Sequence, residues 1–197
     1  MTTRDAIALL LPRLEGYAVI CANGYISRWA CALGDRPRHF YMIGSMGLAS
    51  SIGLGVALAL PAQPVAILDG DGNVLMGLSS LAMIGAVKPE RLVHVVLDNG
   101  VYASTGSQPT ISKRVALEDV AAAAGYARAV RVREPEALVG ALREQLATPG
   151  PSFLVVETSG DAGAPAPRIP FSPHEMTTRM RAALGRGVDP SRTVGLP

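Results

Sequence analysis

The 197-residue chain is long enough for one sizeable domain, and 49% of its residues are apolar while only 5% are aromatic, which excludes a disordered polymer. A net charge of +2, with no Lys/Arg cluster interleaved with aromatics, argues against a nucleic-acid-binding surface. Cys21 and Cys31 have neither metal-ligand nor CxxC spacing, so they read as free thiols of a reducing compartment, and the cytoplasm is the expected location.

The N-terminus carries Asp5 and Glu15 and no cleavage site, unlike a secretory signal. Residues 3–14 place Ile7, Leu10, Leu11 and Leu14 on one helical face. Residues 17–21 (YAVIC) read as a strand, Asn23-Gly24 as a turn, and 26–33 as a short helix carrying Ser27, Arg28 and Trp29. Residues 40–42 lead into Gly44-Ser45-Met46-Gly47, and a helix of small residues then runs to Leu60, with Gly53 and Gly55 suited to close packing. The uncharged stretch 43–60 is 18 residues long, near the roughly 20 of a membrane span, but its serines, glycines and the stop at Pro61 make it a buried helix instead.

Residues 64–68 form an apolar strand that ends in Asp69-Gly70-Asp71-Gly72. A helix follows over 74–87 and stops at Lys88-Pro89; a second Val-rich strand, 92–97, closes with Asp98-Asn99-Gly100. Beyond it the pattern predicts a helix at 117–125, a strand at 127–132, a helix at 135–146 and a strand at 153–157. A Pro/Gly/Ala-rich connector spans 161–170 and a basic helix 173–184, so a single domain over 1–184 with a flexible tail at 185–197 is expected. Strands alternating with helices predict a three-layer, doubly wound α/β fold with a mostly parallel sheet.

The strand–helix–strand unit from 64 to 100 has a geometric consequence. Parallel strands joined by a crossover end on the same edge of the sheet, so Asp71 and Asn99 both leave carboxyl ends, where open α/β sheets bind ligands. A carboxylate and an amide carbonyl beside glycine-rich backbone make a hard oxygen site suited to Mg²⁺ and phosphate. No GxGxxG follows the first strand, where the residues are Cys21-Ala22-Asn23-Gly24-Tyr25, so a dinucleotide fold is excluded.

GDG followed after 25 residues by a doublet ending in Asn resembles the diphosphate-binding motif of thiamine diphosphate enzymes. The doublet, usually Asn-Asn there, reads Asp98-Asn99 here. The resemblance implies the diphosphate-binding domain of that fold, with Asp71, Asn99 and the Val101 carbonyl on Mg²⁺. It places Gly70, Gly72, Asn73 and Tyr102 around the cofactor. Gly44, Ser45 and Met46 would form the element that bends it: Met46 as the wedge between its rings, and the Gly44 carbonyl accepting a hydrogen bond from its amino group. Without the metal motif, Met46 would read as a core residue filling a gap.

GSMGLASSIGLGVALALP, GDGNVLMGLSSLAMIG and LDNGVYASTGSQPT together resemble the sulfopyruvate decarboxylase β subunit and the matching half of phosphonopyruvate decarboxylase. Three positions depart from those families: Trp29 for Glu, Asn73 for Ser and Gly77 for Asn. The resemblance implies decarboxylation of a 2-oxo acid with an anionic tail, sulfopyruvate rather than phosphonopyruvate because a separate short chain is usual for the former. An Arg fork suits such a tail, so Arg28 is the candidate contact, with Ser104 and Thr105 as helpers; a surface ion pair is the other reading of Arg28. The activating Glu of this superfamily comes from a different domain, and none of the chain's own Glu residues sits in a matching context. An α subunit is therefore the expected partner, in a larger hetero-oligomer, with the uncharged helix at 47–60 as the surface to be covered. A non-catalytic regulatory module that keeps the cofactor fold is the competing class. His39, His94 and His174 read as satisfied core or surface histidines.

Overall fold

A computed structural model describes residues 1–159 and 166–185. Thr2 opens the first helix, α1 (Thr3–Leu10), by a reciprocal cap with Asp5, and Pro12 tightens the next four residues into a 3₁₀ turn. Then follow β1 (Ala18–Cys21), α2 (Tyr25–Gly34), β2 (His39–Tyr41), α3 (Ala49–Ala59) and β3 (Val65–Gly70). The chain continues through α4 (Asp71–Met76), α5 (Ser79–Val87), β4 (Leu92–Asp98) and a small hairpin, β5 (Val101–Tyr102) with β6 (Gln108–Pro109). It ends with α6 (Leu117–Ala124), β7 (Arg128–Val132), α7 (Pro135–Ala147), β8 (Ser152–Glu157) and α8 (Pro173–Leu184). The connector expected at 161–170 and the tail expected at 185–197 lie largely outside the described residues.

The main sheet has six strands in the order β2-β1-β3-β4-β8-β7, all parallel. Alternate strand residues feed two cores, as a period of two requires. Val19, Cys21, Leu68, Val95 and Leu154 pack with α1, α2 and α7 on one face; Ile20, Ile67, Val96, Phe153 and Val155 pack with α3, α5 and α6 on the other. The expected three-layer, doubly wound architecture is the observed one.

Three local expectations change. β2 is a strand, added at the sheet edge through pairing of Val19 with His39 and Cys21 with Tyr41. The helix expected over 74–87 is two helices, broken at Gly77. A Cβ on Gly77 would lie 2.0 Å from the Gly47 carbonyl oxygen, so the chain breaks there to seat the preceding turn. Of the two glycines in α3, only Gly53 is forced by packing: a Cβ there would meet Ile67 Cγ1 at 2.5 Å, whereas a Cβ on Gly55 meets nothing.

The uncharged helix α3 sits with Ala49, Gly53, Leu54 and Ala57 against the sheet. The large apolar side chains left exposed are instead Ile43 and Leu48, which flank the Met46 turn, Met76 and Leu78 at the α4–α5 break, and Met83, Ile111 and Leu33. Among the described residues no helix is long and apolar enough to cross a membrane.

Candidate active site

β1 is the strand from which the sheet grows both ways, to β2 on one side and β3 on the other, and the β1/β3 boundary is therefore a topological switch point. β3 and β4 pair in register from Val65–Leu92 to Gly70–Leu97, so the residues that follow them emerge side by side. A cleft opens over these ends. Asn23 and Tyr25 enter it from the segment after β1, Gly70, Asp71, Gly72 and Asn73 from β3 and α4, and Asn99, Val101, Tyr102 and Ser104 from the segment after β4. Met46 closes its rim. Its volume of about 80 Å³ is well short of the roughly 300–1,000 Å³ of a complete small-molecule pocket.

Asp71 is 2% exposed. One carboxylate oxygen accepts a hydrogen bond from the Thr110 hydroxyl, and Thr110 in turn contacts Ser112 at 2.9 Å. Burial pushes the Asp71 carboxyl above the usual carboxylate range, opposed by the Thr110 bond and reinforced by the nearby Asp98 charge. A buried carboxylate held in this way is short of a cation. Asn99 lies close by, its side-chain oxygen turned back onto the Val101 N–H at 3.0 Å with one lone pair to spare. Gly72 lets the Tyr102 ring pack directly on the backbone at the cleft, since a Cβ there would meet that ring at 2.4 Å. Asn23 Oδ1 is buried in the structure without a hydrogen-bond partner.

Among the described residues no three His, Cys, Asp or Glu side chains converge. The donors present are instead one carboxylate, one amide oxygen and backbone carbonyls, a set that fits Mg²⁺ completed by phosphate oxygens and water.

The other expected site residues are placed as follows. Gly44 and Ser45 are exposed at the start of the turn that carries Met46; Ser45 adopts a left-handed φ of 57° and its carbonyl accepts the Leu48 N–H at 3.2 Å. Ser104 lines the cleft, while Thr105 is exposed and its hydroxyl lies within 3.2 Å of the Tyr102 carbonyl and 3.1 Å of Gln108 Oε1. The Arg28 guanidinium lies 5.6 Å from the Tyr25 ring centroid, outside the cleft lining. Ser27 is buried and ties α2 to β1 by donating to the Cys21 carbonyl at 2.9 Å.

Several residues around the site hold contacts that the sequence motifs did not assign to them. Asp98 is fully buried, accepts from Gly100 N–H and Ser112 Oγ, and is paired with Arg131 at 2.9 Å; the same guanidinium makes two bonds to Glu118. Burial works against the Glu118 carboxylate, but the Arg131 bonds outweigh it and hold its carboxyl below the usual range. His94 Nε2 meets Asp69 Oδ2 at 3.0 Å, and His94 Nδ1 meets the Tyr126 hydroxyl at 3.2 Å. The available signal is a charged or polar residue inside a buried apolar run, Asp69 in β3 and His94 in β4; β7, with both Arg128 and Arg131, gives no such contrast.

The family described as "Thiamine pyrophosphate enzyme, C-terminal TPP binding domain" matches residues 22–156. The chain belongs to that family. The phosphonopyruvate decarboxylase of Streptomyces viridochromogenes is 47% identical over 84% of this chain and 41% of its own length. The sulfopyruvate decarboxylase subunit beta of Methanococcus maripaludis is 35% identical over 93% of this chain and 98% of its own length. The chain thus spans about two fifths of the phosphonopyruvate decarboxylase and nearly all of that beta subunit. The thiamine diphosphate-dependent 4-hydroxybenzoylformate decarboxylase of Rhodococcus jostii superposes with a TM-score of 0.70 at 20% identity, over 83% of this chain and 33% of that one, which shows the shared fold. In this thiamine pyrophosphate-binding domain, the segment 70–101 that lines the cleft falls inside the matched region.

Proposed function

We propose that this chain is the diphosphate-binding β subunit of a thiamine diphosphate- and Mg²⁺-dependent 2-oxo acid decarboxylase, with sulfopyruvate as the substrate and sulfoacetaldehyde and CO₂ as products. The observation that carries the reading is the convergence of Asp71 and Asn99 in one cleft at the switch point, beside Gly70 and Gly72. Asp71, Asn99 and the Val101 carbonyl hold Mg²⁺, and the Gly70–Asn73 backbone and Tyr102 flank the diphosphate. Thiamine diphosphate, when bound, supplies the carbanion that adds to the ketone and the electron sink for CO₂ loss. The protein binds the diphosphate end through the metal and positions the ring end at the Met46 turn. Arg28, Ser104 and Thr105 are the candidate contacts for the anionic tail, with Tyr25 supporting the Arg28 guanidinium from beneath.

The small cleft supports a second wall from a partner, an α subunit that carries the pyrimidine-binding domain and its activating Glu. The exposed Ile43, Leu48, Met76 and Leu78 around the Met46 turn are the surface such a partner would cover. The match to nearly the whole of a sulfopyruvate decarboxylase subunit beta favours that substrate. The higher identity to phosphonopyruvate decarboxylase favours a second reading, the phosphonate analogue. Both tails are tetrahedral anions that an Arg fork reads alike.

The deciding experiment co-purifies the chain with a tagged pyrimidine-binding partner and measures CO₂ release from each acid with thiamine diphosphate and Mg²⁺. Turnover by the pair alone supports the reading and names the substrate. A chain that binds the cofactor but turns over neither acid with any partner would favour a regulatory module.

A further inference from the structure

A line of buried hydrogen bonds crosses the core behind the cleft. It starts at the Tyr126 hydroxyl, passes through His94 and Asp69, and continues from Asp69 Oδ1 to Asn73 Nδ2 at 2.5 Å. It ends where Asn73 Oδ1 accepts the Gly47 N–H at 2.6 Å. Exposure along the line is 6% at Tyr126, 0% at His94 and Asp69 and 5% at Asn73. Asp69 Oδ1 also accepts the Gly70 N–H and Asp69 Oδ2 faces His94 Nε2, so both carboxylate oxygens are engaged. The Asn73 amide is held at both ends.

Gly47 is also fixed from its other side, because its carbonyl rests against the Cα of Gly77, where a side chain would not fit. Between these two grips the turn adopts left-handed angles at Ser45 (φ 57°) and Gly47 (φ 92°). A non-glycine residue holds such a conformation only where its surroundings over-determine it. Met46 lies between those two residues and lines the cleft.

We propose that Asn73 is a positioning residue. Fixed by the Asp69–His94–Tyr126 line, it holds Gly47 and thereby sets where Met46 stands against the cofactor rings. The assignment rests on the thiamine diphosphate reading of the cleft. It differs from a side-chain contact to the diphosphate: the Asn73 backbone flanks that end, while its side-chain amide is engaged by Asp69 and Gly47 and acts on the ring end.

Asn73→Ser tests it. A serine side chain is one bond shorter, with a single oxygen, and cannot span from Asp69 to Gly47. In the unliganded full chain, amide exchange at Gly47 should speed up about tenfold, the loss of one hydrogen bond. In the complex with its partner, thiamine diphosphate affinity should fall by about tenfold while Mg²⁺-dependent affinity for inorganic diphosphate stays within about twofold. Equal losses for both ligands would make Asn73 a diphosphate contact and overturn the proposal, as would unchanged Gly47 exchange. Gly77→Ala leaves the Asp69–Asn73 bond in place and pushes on Gly47 from the opposite side. It should reproduce the selective loss for thiamine diphosphate, and wild-type discrimination by that variant would also overturn the proposal. Failure of the cofactor reading shows separately, as a wild-type complex that binds thiamine diphosphate no better than inorganic diphosphate. Gly47 exchange in the unliganded chain still tests the anchor in that case.

Discussion

The Thr110 hydroxyl, on the segment after β6, donates to the carboxylate of Asp71 at the start of α4, thirty-nine residues away in sequence. That bond fixes which oxygen of Asp71 remains open to the cleft. Thr110→Val keeps the shape and removes the donor. With the carboxylate free to turn, Mg²⁺-dependent thiamine diphosphate binding should weaken by about tenfold or more, the range for a hydrogen bond to a charged group. Calorimetric titration at fixed Mg²⁺ measures it, and unchanged affinity would show that Asp71 is oriented by other contacts.

In the proposed metal site Asp71 trades stability for binding. Its carboxyl is raised by burial above the ordinary 3.8 of the unfolded chain, so the folded state keeps the proton to higher pH. The contribution of the group to stability therefore falls as pH rises from 3.8 through that raised value, and stays unfavourable at neutral pH. Asp71→Asn removes the buried charge, and its amide oxygen can still accept from Thr110. Without metal the variant should melt higher at pH 7, by roughly 2–4 °C for each 1 kcal/mol relieved in a domain of this size. It should at the same time lose Mg²⁺-dependent cofactor binding. A variant that melts lower and still binds would remove Asp71 from the metal site.

Arg131 is the counterweight to a second buried carboxylate. Its guanidinium reaches Asp98, Glu118 and Glu157 together, and Asp98 has no exposure to water. Arg131→Met leaves Asp98 charged and unpaired, a loss of about 3–5 kcal/mol. Arg131→Lys should recover only part of it, because an ammonium cannot fork between Asp98 and Glu118. Urea unfolding of the two variants checks the order. Because Asp98 also holds the Gly100 N–H, the Met variant should disturb the Asn99 turn as well as the fold.

The layered fold was legible because its strands are apolar runs separated by helical patterns, a local signal. The Asp71–Asn99 cleft was legible too, because strand–helix–strand handedness places both residues on one edge wherever the crossover forms. β2 was not: His39–Tyr41 is three residues long and becomes a strand only by pairing with β1. The break at Gly77 was hidden for a related reason, since its cause is the Gly47 carbonyl, distant in sequence. The roles of His94, Asp69 and Asn73 depend on hydrogen bonds between β4, β3 and α4. Spacing along one chain carries no trace of such contacts, although a histidine inside an apolar strand signals that a polar partner must be near.

His39 supplies a test of stability against pH. It is 2% exposed, and its Nδ1 lies 3.1 Å from the Tyr41 hydroxyl, which donates to Asp35 at 2.9 Å. Burial, with Arg36 and Arg179 adding to it and Asp35 opposing, pushes the imidazole down to about 4 from its ordinary 6.5. The unfolded chain therefore binds a proton at this residue between pH 6.5 and about 4, where the folded chain does not. Stability from this group is present in full above 6.5 and is lost as pH falls through that window, levelling below about 4. The loss is on the order of 3 kcal/mol. Asp35 also accepts from Arg179 of α8, so charging His39 sets a further cation beside that contact and should loosen α8. His39→Gln removes the titration and can still donate to Tyr41. The difference in unfolding free energy between wild type and variant, followed from pH 7 to pH 4, should shift toward the variant as pH falls. A difference that stays constant would mean that His39 titrates alike in the folded and unfolded chain.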